Sequence, residues 1–316
     1  MSGTDTSGIV KIIEETVKRY ISDTADVINV ESTPLSLGSQ AVNLSRHSVI
    51  MDDQGVLESC SLITKMAKLT ERRTMHRLLH QSANVPFSLT YDLESEDRAL
   101  LCIQDVDYKT DYQNLEIEKL QHQEIQTLAF IHRANHGLHS ELAWLPVVDR
   151  KHMEEVVERR WRPFWEEAKR NEAFIGAYGS YIPEIDAAAR SIVDDMQPVV
   201  NEVSSHTLIH NDLNPGNVLV HSNQEVMFID WEEARYGPLF LDIPMRLNPE
   251  QADEYRDVLG SHGIVLPAER FRLMYATAAR YLGIRYMTWC LGAWTRDAYA
   301  KNMLERYLQM AAGTSL

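Results

Sequence analysis

The residues best able to do chemistry are packed into one short run, His210-Asn211-Asp212-Leu213-Asn214-Pro215-Gly216-Asn217, followed by Val218-Leu219-Val220. Thirteen residues beyond Asn217, a second apolar run, Val226-Met227-Phe228-Ile229, ends in Asp230-Trp231-Glu232. Apolar strands therefore present Asp212, Asn217 and Asp230 at their edges, next to tight turns. Mg²⁺ takes hard oxygen ligands, commonly one or two carboxylates together with substrate phosphates. Asp230 and Asn217 offer such oxygens, which leaves Asp212 to accept a proton from an attacking hydroxyl. The layout suits phosphoryl transfer. The plain alternative is a polar loop of Asx turns around Pro215-Gly216. That alternative accounts for Asn214, but not for His-x-Asp-x-x-x-x-Asn followed by a strand ending in Ile-Asp.

Elements on either side must hold these residues. Ile9, Val10, Ile12, Ile13, Val17 and Ile21 recur at helical spacing and predict an amphipathic opening helix. Residues 26–106 then carry β-rich runs at 26–30, 42–51, 56–67 and 99–106, and Asp52-Asp53-Gln54-Gly55 predicts a hairpin turn. Met75, Leu78 and Leu79 mark a helix over 71–81. Beyond about residue 108 the texture is helical, with helices expected at 115–131, 153–169, 271–294 and 297–310. Only a β-like island at 207–209, 218–220 and 226–229 interrupts it. The expected class is α+β: a small β-rich N-terminal lobe, 1–103, and a larger α-helical lobe, 104–316.

Composition narrows the function. The 316 residues hold 31 Lys and Arg against 46 Asp and Glu, a formal net charge of −15. A duplex-binding protein needs a basic stripe to displace counterions, so nucleic acid is not an expected partner. The negative field favours a cationic small ligand. Cys60, Cys102 and Cys290 are scattered and form no CxxC pair, which fits a reducing compartment. The first eight residues have neither a basic n-region nor an apolar core, and no stretch nears about 18 consecutive apolar residues. A cytoplasmic protein is expected, monomer or dimer being left open.

The run 210–217 with Ile229-Asp230-Trp231-Glu232-Glu233-Ala234, and Gly237-Pro238-Leu239-Phe240-Leu241-Asp242 downstream, resembles the aminoglycoside phosphotransferase/choline kinase family, the small-molecule branch of the protein-kinase-like fold. The resemblance implies two lobes, an ATP-dependent (or GTP-dependent) phosphotransferase using Mg²⁺, and a small hydroxyl-bearing acceptor. It makes Asp212 the catalytic base, Asn217 and Asp230 the Mg²⁺ ligands, and His210 and Asp242 structural supports. Such a fold also needs a third-strand lysine on the phosphates and a helix glutamate holding that lysine. Lys65 ends the third β-like run on the face of Ile63. Lys68, the rival, is put on the other face by strand alternation, and Glu71 is the one local carboxylate.

The phosphate-covering loop is expected at 33–40, with backbone N–H groups near Gly38 and Ser39 meeting phosphate oxygens, although neither GxGxxG nor Walker A is present. Gln104 and Val106 are expected at an inter-lobe hinge that reads adenine. His132, His136 and His139 are expected to be ordinary helix-end or surface histidines. Trp161, Trp165, Trp289 and Trp294 are expected to anchor the core. The first expectation for the acceptor is a cationic aminoglycoside-type antibiotic, with Glu232 and Glu233 as its nearest acidic contacts. Choline, ethanolamine or thiamine is the alternative, and a non-catalytic nucleotide-binding protein or a Mg²⁺-dependent hydrolase stands behind both.

Overall fold

The computed structural model describes residues 6–35, 42–222 and 224–314. Gly38 and Ser39, expected to meet phosphate, lie outside the described residues. Packing divides the chain into two compact units, one of residues 1–127 with 216–234 and one of residues 128–215 with 235–316. These differ from the expected segments 1–103 and 104–316. The hairpin made by Val218–His221 and Glu225–Phe228 is bound to the first unit by local hydrogen bonds. Thr110 Oγ1 donates to the Val220 carbonyl at 2.5 Å, and the Val226 amide donates to Gln123 at 3.2 Å.

In the first unit, helix α1 (Thr6–Tyr20) precedes strands β1 (Ala25–Pro34), β2 (Val42–Asp53) and β3 (Val56–Ala67). Helix α2 (Leu69–His80) and strands β4 (Ser88–Leu89) and β5 (Ala99–Gln104) follow. The sheet order is β1-β2-β3-β5-β4, with every pairing antiparallel. The apolar stripe of α1 (Ile12, Ile13 and Val17) is buried against Val49, Met51, Leu62 and Cys102 of the sheet, which makes the core of this unit. The expected turn at 52–55 joins β2 to β3. Gln54 and Gly55 both have positive φ there (56° and 89°), and the Asp52 carboxylate accepts from the Gly55 amide at 2.6 Å.

The second unit is mainly helical. Its strands, His206–Ile209 and Arg235–Pro238, pair antiparallel, so the expected β island is really two separate ribbons. The helix expected over 153–169 is broken into α-helical Arg150–Glu154, a π-helical stretch Glu155–Trp161 and α-helical Arg162–Ala168. Pro163 supplies the cause, because it lacks an N–H and its ring crowds the turn before it. Trp161 and Trp165 are fully buried and stack at 5.6 Å. Trp289, expected in the core, is instead exposed on the outer side of the helix Ala268–Ala293. No helix among the described residues is long and apolar enough to cross a membrane.

The helices Ala268–Ala293 and Ala298–Ala312 pack backbone to backbone at Gly283. A Cβ there would sit 2.7 Å from the Ala311 amide nitrogen and 2.8 Å from the Tyr307 carbonyl oxygen. Helix propensity favours alanine over glycine by roughly 1 kcal/mol, whereas forcing a methyl group against backbone costs about 1–3 kcal/mol. Gly283→Ala should therefore lower the unfolding free energy. Gly292→Ala, on the same helix with nothing within 4 Å of the new methyl, should raise it or leave it unchanged. Urea denaturation of the two variants checks both signs.

Candidate active-site constellations

Strand β3 carries Lys65 opposite Leu101 of β5 into the buried interior of the first unit. Its Nζ lies 2.6 Å from Glu71 Oε1 and 2.9 Å from Asp230 Oδ1. Glu71 is in the first turn of α2, where the exposed amides of a helix N-terminus favour negative charge, and its side chain is only 1% exposed. Lys68, which precedes α2, instead meets Glu232 at 2.8 Å and Glu233 at 3.7 Å. Of the two candidate lysines, Lys65 is the one that reaches Glu71.

The hairpin 218–228 brings up the third member. At its end the Ile229 amide donates to the Asn217 carbonyl at 3.0 Å, and Asp230 then turns into the left-handed region with φ 62° and ψ 60°. Asp and Asn tolerate that region better than other non-glycine residues. The Asp230 carboxylate is 46% exposed, in contrast to the buried Lys65 and Glu71. Oxygens of Glu71, Asp230 and Glu232 all lie within 4.8 Å of one another.

Electrostatics here are finely opposed. Burial works against the Lys65 ammonium, but Glu71 and then Asp230 outweigh it and hold the lysine above its usual range. Burial pushes Glu71 up to about 7, against the pull of Lys65, and the charges of Asp230 and Glu232 push the same way. Glu71 Oε2 is buried without a hydrogen-bond partner among the described residues. Glu71 and Asp230 share the Lys65 ammonium, and the half-open Asp230 carboxylate keeps an oxygen face that fits a further hard cation such as Mg²⁺.

Two expectations need correction. Glu232, expected to contact the acceptor, is held by Lys68 and by Arg98 at 2.7 Å, and Glu233 also lies beside Lys68. Their charge is matched within the first unit. Strand β5 ends at Gln104 rather than at residue 106. Gln104 turns its amide towards the Phe87 amide at 3.4 Å and His221 at 3.5 Å, and the Val106 carbonyl accepts from His221 Nδ1 at 3.0 Å.

In the second unit, the loop carrying Asp212 is fastened by its backbone. The His210 and Asn211 amides donate to the two oxygens of Asp242, at 2.7 and 2.8 Å. Asp242 is fully buried, and His132 Nε2 meets it at 3.1 Å while Tyr255 bonds the other ring nitrogen at 2.5 Å. His132 is thus a buried member of a hydrogen-bonded chain and not a surface histidine, whereas His136 is half-buried and His139 exposed. The Asp212 amide donates to His210 Nδ1 at 3.3 Å, and Asn211 takes a φ of 61°. Arg285 donates to Asn211 Oδ1 at 2.7 Å, and the Asp212 charge, after burial, holds the Tyr286 hydroxyl above its usual range. Sequence reasoning missed Tyr255, Arg285 and Tyr286. The one signal available was Arg285, the charge that interrupts an otherwise apolar helix.

With this geometry in hand, the comparisons with known proteins are specific. The family model of the phosphotransferase enzyme family (APH) matches residues 63–278. A spectinomycin phosphotransferase, APH(9)-Ia, solved with ADP and spectinomycin, superposes with a TM-score of 0.61 at 15% identity, covering 97% of this chain and 98% of that one. Choline kinase LicA from Streptococcus pneumoniae gives 0.51 at 14% identity, covering 96% and 99%. Stress response kinase A of Escherichia coli (strain K12) is 26% identical over 108 residues, which are 30% of this chain and 29% of that protein. These structural likenesses show the α+β, kinase-like fold, and with the family match over residues 63–278 the chain belongs to the phosphotransferase enzyme family.

Proposed function

We propose that this chain transfers the γ-phosphate of ATP to a hydroxyl of a small molecule. The observation that carries this reading is the buried Lys65 ammonium between Glu71 and Asp230. Such a cation, fixed by one carboxylate and beside a second, half-open one, is built to receive phosphate oxygens. In this reading Lys65 binds the phosphates and Glu71 positions Lys65. Asp230 and Asn217 would hold Mg²⁺, which when bound neutralises charge on the phosphate oxygens. Asp212 orients the acceptor hydroxyl and takes its proton, while His210 and Asp242 keep the loop in place. The ADP and AMP complexes of similar proteins support a nucleotide as donor; ATP and GTP are separated by titrating each.

A similar structure solved with spectinomycin and another named a choline kinase support two acceptor types: an aminoglycoside-type antibiotic, which would make the enzyme a resistance factor, or an amino-alcohol metabolite. A cationic acceptor rests on the net charge of −15 alone once Glu232 and Glu233 are taken up by Lys68 and Arg98. A panel of amino-sugars, amino-alcohols and uncharged polyols, screened with labelled ATP, tests the reading. Labelled product from any of them supports it, and label appearing only as free phosphate defeats it.

Asp212→Asn should lower kcat by about 10²–10⁴-fold, the range of a general base, with little change in nucleotide affinity. Turnover near that of the wild type would remove Asp212 from the role. Lys65→Ala and Glu71→Ala should each weaken nucleotide binding, and a double-mutant cycle should be strongly non-additive, with coupling on the order of 1–3 kcal/mol. Additive losses measured by calorimetry would dissolve the pair.

A further inference from the structure

Lys65, Glu71 and Asp230 each have a neighbour, one or two positions along the chain, that is bonded to a single short segment of the first unit. This segment, residues 92–98, joins β4 to β5. At its end Arg98 forks. Its Nη1 donates to the carbonyl of Met66, one residue beyond Lys65, at 2.9 Å, and its Nη2 donates to Glu232 Oε1, two residues beyond Asp230, at 2.7 Å. The Arg98 side chain is 29% exposed and that of Glu232 10%, so the pair is shielded from the solvent that makes surface pairs weak. A planar guanidinium holds a carbonyl and a carboxylate at one fixed spacing, which a single ammonium cannot do. Lys68 adds charge to Glu232 at 2.8 Å, but from a more exposed and flexible side chain.

Arg72, the residue after Glu71, grips the same segment. It is fully buried, and its Nη2 donates to the carbonyls of Ser95 and Asp97 at 2.7 and 2.6 Å. Its Nη1 donates to the Asp92 carbonyl and lies 3.3 Å from the Asp92 carboxylate. That carboxylate accepts in turn from the Glu94 and Ser95 amides, both at 2.9 Å, and Arg73 Nε donates to the Leu93 carbonyl at 2.6 Å. A buried guanidinium is costly unless its N–H groups are met, and here three main-chain carbonyls of an irregular loop meet them. Leu69, Met75 and Leu78 already bury the apolar face of α2. Apolar burial is non-directional, however, and does not set the rotation of the helix about its axis. The directed bonds of Arg72 do, and with that rotation they set where Glu71 points.

Resting on the phosphotransferase reading, we propose that Arg98 and Arg72 are positioning residues of the nucleotide site and that residues 92–98 are the frame on which both act. Arg98 sets the distance of Asp230 from Lys65, and Arg72 sets the direction from which Glu71 meets that lysine. The two roles have different signatures. Arg98 works through Asp230, the proposed metal ligand, so its loss is felt through Mg²⁺. Arg72 works through Glu71 and Lys65, so its loss is felt by the nucleotide with or without Mg²⁺. A segment that served only to stabilise the fold would not separate the two.

ATP binding, measured by calorimetry across a Mg²⁺ titration and in excess chelator, tests this, with urea denaturation recording the stability of each variant. Arg98→Gln should raise the Mg²⁺ midpoint about 10-fold, the range of a group that orients a metal ligand, and should change binding in chelator by about 2-fold or less. Arg98→Lys should recover little of that loss, because it restores the charge without the fork. Arg72→Lys should weaken ATP binding by about 3-fold or more in both conditions. Should urea show that variant to be unfolded, Asp92→Ala, which removes one contact of Arg72 at the rim, should give the same pattern at about 2-fold. An unmoved Mg²⁺ midpoint in Arg98→Gln, full recovery in Arg98→Lys, no loss from the Arg72 arm, or one common pattern for both arginines overturns the proposal. The wild type keeps these outcomes distinct from the function. If Mg²⁺ fails to tighten its ATP binding, the phosphotransferase reading falls; if Mg·ATP binds and the variants match it, only the positioning roles fall.

Discussion

Moving an ammonium out of water costs several kcal/mol after relaxation, and the cost is offset only when carboxylates meet it at close range and in good geometry. Lys65 meets that condition through Glu71 at 2.6 Å and Asp230 at 2.9 Å, and these contacts impose demands on distant parts of the chain. The register of β3 against β5 must put residue 65 on the inner face. Helix α2 must begin early enough for Glu71 to fall in its first turn. The hairpin 218–228 must end in a left-handed residue so that Asp230 turns back towards the lysine. The neighbouring pairs of Glu232 with Lys68 and Arg98 fix the next carboxylate along and keep it from competing for Lys65.

The second unit repeats the principle with the sign reversed. Asp242 is a fully buried carboxylate, and two backbone amides and His132 meet its oxygens. A carboxylate that accepts main-chain N–H groups fixes the loop without depending on long side chains, so residues 210–212 hold one backbone course. Tyr255 in turn fixes the ring of His132. The proposed base therefore sits on a backbone whose conformation is set from below by buried groups.

Local rules were enough for much of this. The α+β class, the turn at 52–55 and the pairing of Glu71 with Lys65 rather than Lys68 follow from periodicity, turn chemistry and strand alternation, each of which acts over a few residues. The roles of Asp212, Asn217 and Asp230 were legible only as spacing, and they stay proposals. What could not be read depends on long-range packing. Glu232 looked available until Lys68 and Arg98 were placed beside it, and nothing local distinguishes His132 from His139, although one is buried on Asp242 and the other exposed. The π-helical stretch 155–161 had a local mark in Pro163, but a proline predicts a disturbance rather than its form.

Lys65, Glu71 and Asp230 form the proposed seat of a metal-bound nucleotide. The most direct measurement is ATP binding as a function of Mg²⁺ concentration, in the wild type and in Asp230→Asn, by calorimetry at constant ionic strength. Mg²⁺ should tighten ATP binding to the wild type, and Asp230→Asn should move the Mg²⁺ midpoint upward by about 10-fold or more, the equivalent of roughly 1.4 kcal/mol or more of lost coordination. Superimposable Mg²⁺ curves for the two proteins would contradict it.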